Sequence, residues 1–385
     1  MLVRLGDAVS PTCGGKAGTL GALLRAGLPV PDGFVIPFAV YRAVIDDRIV
    51  DATLREAIAR GLDLLGDGPV AVRSSADDED TDSTSAAGQY DSVLAVQGID
   101  QVADAVRRSW ASTSSPRAVA YRDASAAEPM MAVLVQRQLD AEVSGVMFTP
   151  GGPADGTEIE ASWGLGPSVV GGTVTPDAFH VAADGTITRA VADKRTRLDR
   201  RGARLVTNDV PGPDRGRPTL DDAAAGRLAR LGRRVADVLG GAQDIEWAIV
   251  DGDAWILQAR PVTADLPARR SPAHSGSPAT LVGTPCSSGT ATGPARVVRG
   301  PADFARVRPG DILVCPWTDP SWTPLLRIAA GVVTETGGVL SHAAIVAREQ
   351  RIPAVLGIPD ATTTLRDATT LAIDGAAGTV TMIDE

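Results

Sequence analysis

Residues 331–350 read GVVTETGGVLSHAAIVAREQ, and this stretch predicts a strand, a glycine turn and a helix in direct succession. The apolar run at 331–334 has the length of a short buried strand, and residues 341–350 follow a helical pattern. The Gly337–Gly338 pair permits backbone N–H groups to approach an anion, and Ser341 can cap the helix. A strand that leads into a helix in this way is typical of an α/β domain.

His342 is one of only three histidines in the chain, and it opens the predicted helix. The positive end of the helix dipole favours negative charge beside its imidazole. This placement suits a histidine that carries a phosphoryl group, and it equally suits a buried structural histidine next to a turn. The local pattern leaves both interpretations open.

The sequence divides at residues 261–280, where Pro, Ala, Ser and Gly replace any hydrophobic period. We predict a first domain at 1–262, a flexible linker at 263–280 and a smaller α/β domain at 281–385. In the first domain we expect helices at 15–27 and 220–239 and strands at 69–73, 131–136, 143–148, 157–161, 244–250 and 254–259. In the second we expect helices at 321–330 and 341–350 and strands at 295–299, 311–315, 331–334, 353–356 and 371–373.

The composition excludes several classes of protein. A chain of 385 residues with 44% hydrophobic residues has room for two or three domains. A net charge of −10 argues against nucleic acid or an anionic membrane as the main partner. No run of about 18 uncharged apolar residues occurs, and Cys13, Cys286 and Cys315 form neither a disulfide framework nor a metal motif. We expect a cytoplasmic protein.

Residues 244–260, DIEWAIVDGDAWILQAR, read as a β-hairpin. A three-residue loop at 251–253 pairs Glu246 with Gln258 and leaves Arg260 on the same face, while Trp247, Ile249, Trp255 and Leu257 form the core face. A carboxylate beside an amide oxygen can ligate Mg²⁺, and an arginine can clamp a phosphate. An ordinary solvated polar face remains the alternative.

Two further cationic residues, Arg73 and Lys16, lie in sequence contexts that suit phosphate binding. Arg73 ends an apolar strand beside hydroxyls and the acidic run 76–86, which we expect to be mobile; a plain surface arginine is the alternative. Lys16, one of two lysines against 35 arginines, follows a glycine turn and opens a helix, which suits phosphate binding. Ala17 stands where a Walker A loop needs Ser or Thr, and Gly164–Leu165–Gly166 lacks the third glycine of a dinucleotide fingerprint.

Several long segments together resemble the family of phosphoenolpyruvate synthase, pyruvate phosphate dikinase and rifampicin phosphotransferase. Segments 14–34, 70–92, 131–149, 159–177 and 243–263 are similar to its ATP-grasp-type nucleotide-binding domain, and 318–358 to its swivelling phosphohistidine domain. The resemblance implies an α/β (α+β) fold with these two domains joined by a tether.

The resemblance also implies roles for individual residues. Lys16, Arg73 and Arg260 would contact the phosphates of ATP, Gly88 and Ser92 would lie along the triphosphate, and Gln136 would sit at the adenine hinge. Glu246 and Gln258 would ligate Mg²⁺, and His342 would carry the phosphoryl group. His180 and His274 have no comparable context. Ala86 stands where relatives usually carry an aromatic residue, which leaves nearby contacts less defined.

The implied activity is ATP-dependent phosphotransfer of the dikinase type, in which His342 is phosphorylated and AMP and phosphate are released; transfer that yields ADP stays open. Relatives carry a third, acceptor-binding domain, whereas this sequence ends at Glu385. The acceptor would therefore be an unknown small molecule at the domain interface or on a separate subunit. A regulatory phosphocarrier that signals to a protein partner is the alternative, and a degenerate nucleotide-binding module without turnover is a third.

Overall fold

The computed structural model describes residues 2–45, 51–79, 90, 92–115, 129–152, 155–264, 266 and 280–383. In these residues the helices are α1 (Ser10–Arg25), α2 (Phe38–Ile45), α3 (Asp51–Leu65), α4 (Gly98–Ala111), α5 (Pro167–Val170), α6 (Gly212–Arg215), α7 (Asp222–Leu239), α8 (Thr323–Leu326), α9 (His342–Gln350) and α10 (Ala361–Thr364). The strands before residue 264 are β1 (Val3–Arg4), β2 (Gly33–Ile36), β3 (Val70–Ala76), β4 (Ser92–Val96), β5 (Met131–Arg137), β6 (Val143–Phe148), β7 (Thr157–Trp163), β8 (Asp177–Val181), β9 (Ile187–Ala190), β10 (Thr196–Arg201), β11 (Arg204–Asp209), β12 (Gln243–Val250) and β13 (Asp253–Pro261). The later strands are β14 (Thr280–Val282), β15 (Thr284–Ser287), β16 (Thr290–Val297), β17 (Ile312–Cys315), β18 (Gly331–Thr334), β19 (Ala354–Leu356), β20 (Thr370–Asp374) and β21 (Thr379–Met382).

Two antiparallel sheets organise the first 261 residues. The five-stranded sheet has the order β1-β2-β5-β3-β4, and α2, α3 and α4 supply apolar side chains to the core on one of its faces. The six-stranded sheet has the order β13-β12-β6-β7-β8-β9, and α1 and α7 bury their apolar faces against it. The ribbon β10-β11 forms a separate two-stranded sheet, and a bridge between Leu198 and Gly164 connects it to the end of β7.

Helix α7 shows how local sequence fixes these elements. Asp221 caps its first turn, because the carboxylate accepts a hydrogen bond from the N–H of Ala224 at 2.7 Å. Gly240 follows the last turn with a φ of +83°, a conformation that favours glycine. Between these ends, Leu228, Ala229 and other apolar residues face the core.

Residues 280–382 form a mixed eight-stranded sheet in the order β14-β21-β20-β16-β17-β18-β19-β15. Strands β16, β17, β18 and β19 are parallel to one another, and the remaining pairs are antiparallel. Helix α9 packs on β15 and β19, with Ala344, Val346 and Ala347 buried in the core. The strand–turn–helix unit predicted at 331–350 is present as β18 and α9, and the α/β fold class is confirmed.

One predicted element is wrong in extent. The helix expected at 321–330 is a short turn at Pro320–Trp322 followed by the four residues of α8. Pro320 and Pro324 stand in the first turns of these elements, where proline is tolerated, and the chain turns after α8 because β18 begins at Gly331. The other strands and helices predicted above occur within a few residues of their expected limits.

Two expectations about composition can be compared with the structure. All three cysteines are buried and free. Among the described residues, no helix combines the length and the apolar character needed to cross a bilayer. Most of the predicted linker, residues 265 and 267–279, lies outside the described residues, and the domain limits remain predictions.

A fully buried ion pair ties the loop after β9 to β8. Lys194 Nζ lies 2.6 Å from Asp177 Oδ1, and both side chains are completely buried. Asp177 also accepts hydrogen bonds from the N–H of Ala192 and from the N–H and hydroxyl of Thr219. Removal of the carboxylate would leave the buried ammonium group of Lys194 without its counter-ion and three other donors without their acceptor.

We therefore expect Asp177→Ala to lower the free energy of unfolding by about 3–5 kcal/mol, because an uncompensated buried charge is costly. Urea denaturation followed by tryptophan fluorescence measures this change. The matched control is Asp193→Ala, which removes an exposed carboxylate paired with Arg195 and should cost at most about 1 kcal/mol. Equal effects of the two substitutions would contradict the structural role of Asp177.

Candidate functional site

A cavity of about 470 Å³ opens between the five-stranded and six-stranded sheets. Its volume is in the range of small-molecule sites, and its wall combines apolar side chains with a few converging polar groups. Seven of the residues singled out in the sequence line it: Lys16, Arg73, Ser92, Gln136, Glu246, Gln258 and Arg260. The fold therefore brings together side chains that lie up to 244 positions apart, although their individual roles remain predictions.

The β12–β13 hairpin carries Glu246, Gln258 and Arg260, and its turn differs from the predicted one. Glu246 lies opposite Gln258, as predicted, but the loop has two residues, since Asp253 already pairs with Val250. Asp251 and Gly252 both have positive φ, which a two-residue hairpin turn requires. A bulge at Leu257 then restores the register that a shorter loop would have shifted.

The bulge corrects the predicted core face of this hairpin. Leu257 lines the cavity, and Ile256 takes the core position beside the fully buried Trp247. Trp255 is half-buried and outside that core cluster. The prediction failed at Trp255 and Leu257 because strict alternation was assumed through a strand that contains an extra residue.

Arg73 lies against both candidate metal ligands. Its guanidinium donates to Gln258 Oε1, and its Nη2 atom is 3.6 Å from Glu246 Oε2. A third contact, from Nη1 to the carbonyl of Leu257 at 2.5 Å, uses the carbonyl that the bulge presents. The arginine is thus fixed by the hairpin and largely buried, which excludes the plain surface arginine considered above.

Lys16 is held by a carboxylate that sequence reasoning missed. Its Nζ atom lies 2.7 Å from Glu79 Oε1, and Glu79 is 3% exposed. Glu79 also accepts hydrogen bonds from the Ser74 hydroxyl and from the N–H of Ala76. Residues 77–79 of the acidic run are therefore fixed, whereas the remainder of that run, including Ala86, lies outside the described residues. No feature of the run singled out Glu79 from its acidic neighbours.

Arg260 also has a buried carboxylate partner, Asp244, at 2.8 Å. Burial raises the pKa of Asp244, and the guanidinium of Arg260 acts in the opposite direction. This pair was also missed in the sequence, although the signal was present: the predicted hairpin register places Asp244 directly opposite Arg260.

The remaining candidates for nucleotide binding lie at the other wall of the cavity. Gln136 is buried on β5 and donates from Nε2 to the carbonyl of Pro31 at 3.0 Å. Ser92 begins β4 opposite Arg73, and Tyr90 next to it contributes a ring to the lining. Gly88 lies outside the described residues, as does His274. His180 contacts Glu158 at 2.8 Å on β7 and does not line the cavity.

His342 occupies the first position of α9 and is 3% exposed. Its Nδ1 atom is 3.2 Å from the hydroxyl of Thr318, and its Nε2 atom is 3.4 Å from the hydroxyl of Thr323. Pro320, between these two threonines, belongs to the lining of the cavity, while His342 itself does not. The segment that covers the histidine therefore also forms part of the cavity wall.

The glycine turn before His342 approaches a carboxyl group that the sequence did not indicate. The carboxyl group of Glu160 on β7 accepts hydrogen bonds from the N–H groups of Val339 and Leu340. Ser341 occupies the position before α9, but its hydroxyl donates to the carbonyl of Gly338 and makes no capping bond. The predicted side-chain cap is thus wrong, since the hydroxyl closes the turn instead.

The donor set at the hairpin suits a hard divalent cation. One carboxylate and one amide oxygen lie side by side, and among the described residues no group of three or more His, Cys, Asp and Glu side chains could hold a metal. Mg²⁺ typically binds one or two carboxylates and takes further oxygens from phosphates. Arg73 contacts both oxygens here, so Glu246 and Gln258 would have to release it to hold a magnesium ion that a phosphate completes.

Comparison with known proteins identifies the two parts of the chain. Residues 42–276 match the family model described as pyruvate phosphate dikinase, AMP/ATP-binding domain, and residues 307–378 match that of the PEP-utilising enzyme, mobile domain. The first match covers more than half of the chain. The chain belongs to the phosphoenolpyruvate synthase and pyruvate phosphate dikinase family.

Individual relatives show the same affiliation. A probable phosphoenolpyruvate synthase from Methanothermobacter thermautotrophicus is 36% identical over 95% of this chain and 61% of its own length. The phosphoenolpyruvate synthase of Aeropyrum pernix is 33% identical over 96% of this chain and 56% of its own length. The chain thus spans somewhat more than half the length of these relatives. A D-alanine–D-alanine ligase from Bacillus anthracis complexed with ATP aligns with 10% identity over 68% of this chain and 57% of its own, at a TM-score of 0.30, too low to support a conclusion.

For a member of this family, the position of Arg73 predicts a large loss of nucleotide affinity when the guanidinium is removed. We expect Arg73→Met to weaken Mg²⁺-ATP binding about tenfold to a hundredfold, because a hydrogen bond to a charged group contributes about 1.5–3 kcal/mol. Isothermal titration calorimetry measures the dissociation constant. Arg189→Met, which removes an exposed arginine from the same domain, should leave it unchanged. An Arg73 variant that binds as the parent does would rule out phosphate contact.

Proposed function

We propose that this protein transfers a phosphoryl group from ATP to its own His342 and then to an acceptor. The observation that carries the proposal is the docking of the His342 segment, through Pro320, onto the wall of a cavity that contains three cations and a pair of magnesium-type oxygens. Membership of a family defined by an AMP/ATP-binding domain supports the nucleotide, and the match to a mobile domain supports the movement of the histidine.

The cations of the cavity would orient and neutralise the triphosphate. Lys16, Arg73 and Arg260 come from separate strands or helices, and all three line the cavity. Phosphoryl transfer depends mainly on positioning and on neutralising the phosphate oxygens. A magnesium ion held by Glu246 and Gln258 would supply further positive charge to those oxygens.

The chemical step requires an unprotonated nitrogen of His342. In the dikinase version, this nitrogen forms a bond to the β-phosphorus while the bond from that phosphorus to the oxygen shared with the α-phosphate breaks. AMP leaves, and water or phosphate then takes the γ-phosphoryl group. The hydroxyls of Thr318 and Thr323 hold the ring in the docked state, so the imidazole must leave at least one of them to reach the nucleotide.

The same histidine must afterwards meet an acceptor away from the nucleotide cavity. One imidazole cannot occupy a donor site and an acceptor site at once, so the second domain would swing on the 263–280 segment. The relatives named phosphoenolpyruvate synthase make pyruvate the first acceptor to test. Because the chain spans only part of those relatives, the assay should include a version supplied with a separate acceptor-binding protein.

His342 is the centre of the first test. We expect the protein incubated with Mg²⁺ and β-³²P-labelled ATP to form an acid-labile, base-stable phosphoprotein and to release AMP, both detected after gel and thin-layer separation. His342→Ala should abolish the label, whereas His180→Ala should retain it because His180 lies outside the cavity. Release of ADP without AMP would overturn the dikinase version, and labelling of His342→Ala would overturn the carrier role.

The metal pair gives a separate test. We expect Glu246→Gln to raise the Mg²⁺ concentration for half-maximal phosphorylation of His342 at least about tenfold, because the only carboxylate of the pair is lost. A magnesium titration at saturating ATP measures this shift. Glu142→Gln, an exposed carboxylate just before β6, serves as the control and should leave the titration unchanged. An unaltered titration for Glu246→Gln would exclude it as a ligand.

A further inference from the structure

The carboxyl group of Glu160 crosses from one domain to the other. Its Oε1 atom accepts the N–H of Val339 at 2.6 Å and its Oε2 atom accepts the N–H of Leu340 at 3.1 Å. These two residues come immediately before Ser341 and His342, and the side chain of Ser341 does not cap the helix. Glu160 therefore supplies, from the other domain, the acceptor oxygens for two N–H groups just before α9.

Gly338 makes this approach possible. A Cβ atom at this position would lie 2.2 Å from Oε1, 2.5 Å from Oε2 and 2.5 Å from Cδ of Glu160. The three nearest atoms all belong to Glu160, and the backbone of Gly338 does not have the positive φ that would itself demand glycine. The absence of a side chain at Gly338 is thus required by the contact between the domains and not by the turn.

The position of Glu160 in the sheet relates this contact to the cavity. Glu160 lies opposite Val146 on β6, Val146 opposite Glu246 on β12, and Glu246 opposite Gln258 on β13. Directly opposed residues point to the same face of a sheet, and neighbouring strands are about 4.8 Å apart, so Glu160 lies roughly 10 Å from the candidate metal ligand. The residue that binds the loop before His342, Glu160, therefore belongs to the same row of side chains as Glu246 and Gln258.

Other contacts exclude water from this junction. Val146 and Phe148 of the six-stranded sheet pack with Leu340 and Ile345 of the second domain. The hydroxyl of Thr336 donates to the carbonyl of Gly172 at 2.6 Å. The two N–H groups that Glu160 binds would consequently be buried without an acceptor if its carboxyl group were removed while the domains stayed docked.

We propose that Glu160 is a positioning residue for the transfer from ATP to His342: its carboxyl group binds the two N–H groups before the histidine and fixes where this loop docks. This role rests on the proposed function. Contacts of apolar side chains alone would allow the loop to slide, whereas two hydrogen bonds to one carboxyl group define both its position and its orientation. Glu160 itself does not line the cavity, so it acts through His342 and not on the nucleotide.

The contact should also depend on pH. Burial raises the pKa of Glu160 from its ordinary 4.5 to about 7, with the two N–H groups and Arg348 acting in the opposite direction. If undocking exposes Glu160 and returns its pKa to about 4.5, docking takes up a proton, is strongest below pH 4.5 and weakens as the pH rises through about 7. The charged and titratable groups around this carboxyl group are Glu158 on the same strand, Asp244 and Arg260 on the hairpin, Arg348 and Glu349 on α9, and Cys286 on β15.

The test combines two substitutions: Gly338→Ala places a methyl group where the Glu160 carboxyl group lies, and Glu160→Ala removes that carboxyl group. We expect Gly338→Ala to lower the rate of His342 phosphorylation by about a hundredfold, because the new methyl group meets the carboxyl group of Glu160. Glu160→Ala should lower the rate about tenfold, and adding Gly338→Ala to it should cause little further loss. An equally large effect of Gly338→Ala with and without Glu160 would overturn the proposal.

A second measurement does not depend on phosphoryl transfer. Hydrogen exchange followed by mass spectrometry should show slow exchange in the 336–345 segment of the parent protein without nucleotide, and faster exchange in Glu160→Ala. If the parent protein shows this protection but no phosphorylation of His342, the proposed function fails while the docking contact stands. If Glu160→Ala exchanges as the parent does, the contact is refuted whatever the activity.

Glu160→Gln separates positioning from mere stabilisation. The amide keeps the size of the side chain but does not titrate, so the ratio of exchange rates between this variant and the parent should change between pH 5 and 8. The 336–345 segment is identical in both proteins, and the intrinsic exchange rates therefore cancel. A constant ratio across this range would contradict titration of Glu160 in the docked state. If the protein with both Glu160→Ala and Gly338→Ala is as active as Glu160→Ala alone, the result agrees with the role in positioning.

Discussion

The pairing of β12 with both of its neighbours is the constraint on which the site depends. Strand β12 pairs with β13, which brings Glu246 beside Gln258 and Asp244 beside Arg260. It also pairs with β6, which connects this hairpin to the row of side chains across the sheet that ends at Glu160. The cavity and the domain junction therefore lie at two ends of one sheet face. A shift in the register of this strand would disturb both, because each residue would turn to the opposite face.

The charges of the cavity are balanced within the protein. Each of its three cations considered above contacts a carboxylate: Lys16 with Glu79, Arg73 with Glu246, and Arg260 with Asp244. Ion pairing removes much of the cost of burying these groups. A triphosphate bound there, as proposed above, would have to draw these cations away from their carboxylates or bring a divalent cation with it.

Much of this arrangement could be predicted from the sequence. The α/β class, 11 of the 21 strands in the described residues and the clustering of seven candidate residues in one cavity follow from hydrophobic period, hairpin register and resemblance to a known family. The partners Glu79 and Glu160 could not be found in this way, because each contact joins residues at least 63 positions apart and neither glutamate stands in a distinctive local pattern. The helix expected at 321–330 was too long, because the chain turns into β18 within five residues of Leu326 and the hydrophobic period does not show that turn.

The two-residue turn and the bulge of the β12–β13 hairpin compensate for each other. Gain or loss of one residue at the turn alone would send Gln258 and Arg260 to the apolar face, and the same holds for the bulge at Leu257. In related sequences, length changes in this hairpin should therefore occur in compensating pairs. A single-residue insertion or deletion there would mark a chain that has lost this cavity, even where every side chain discussed above is retained.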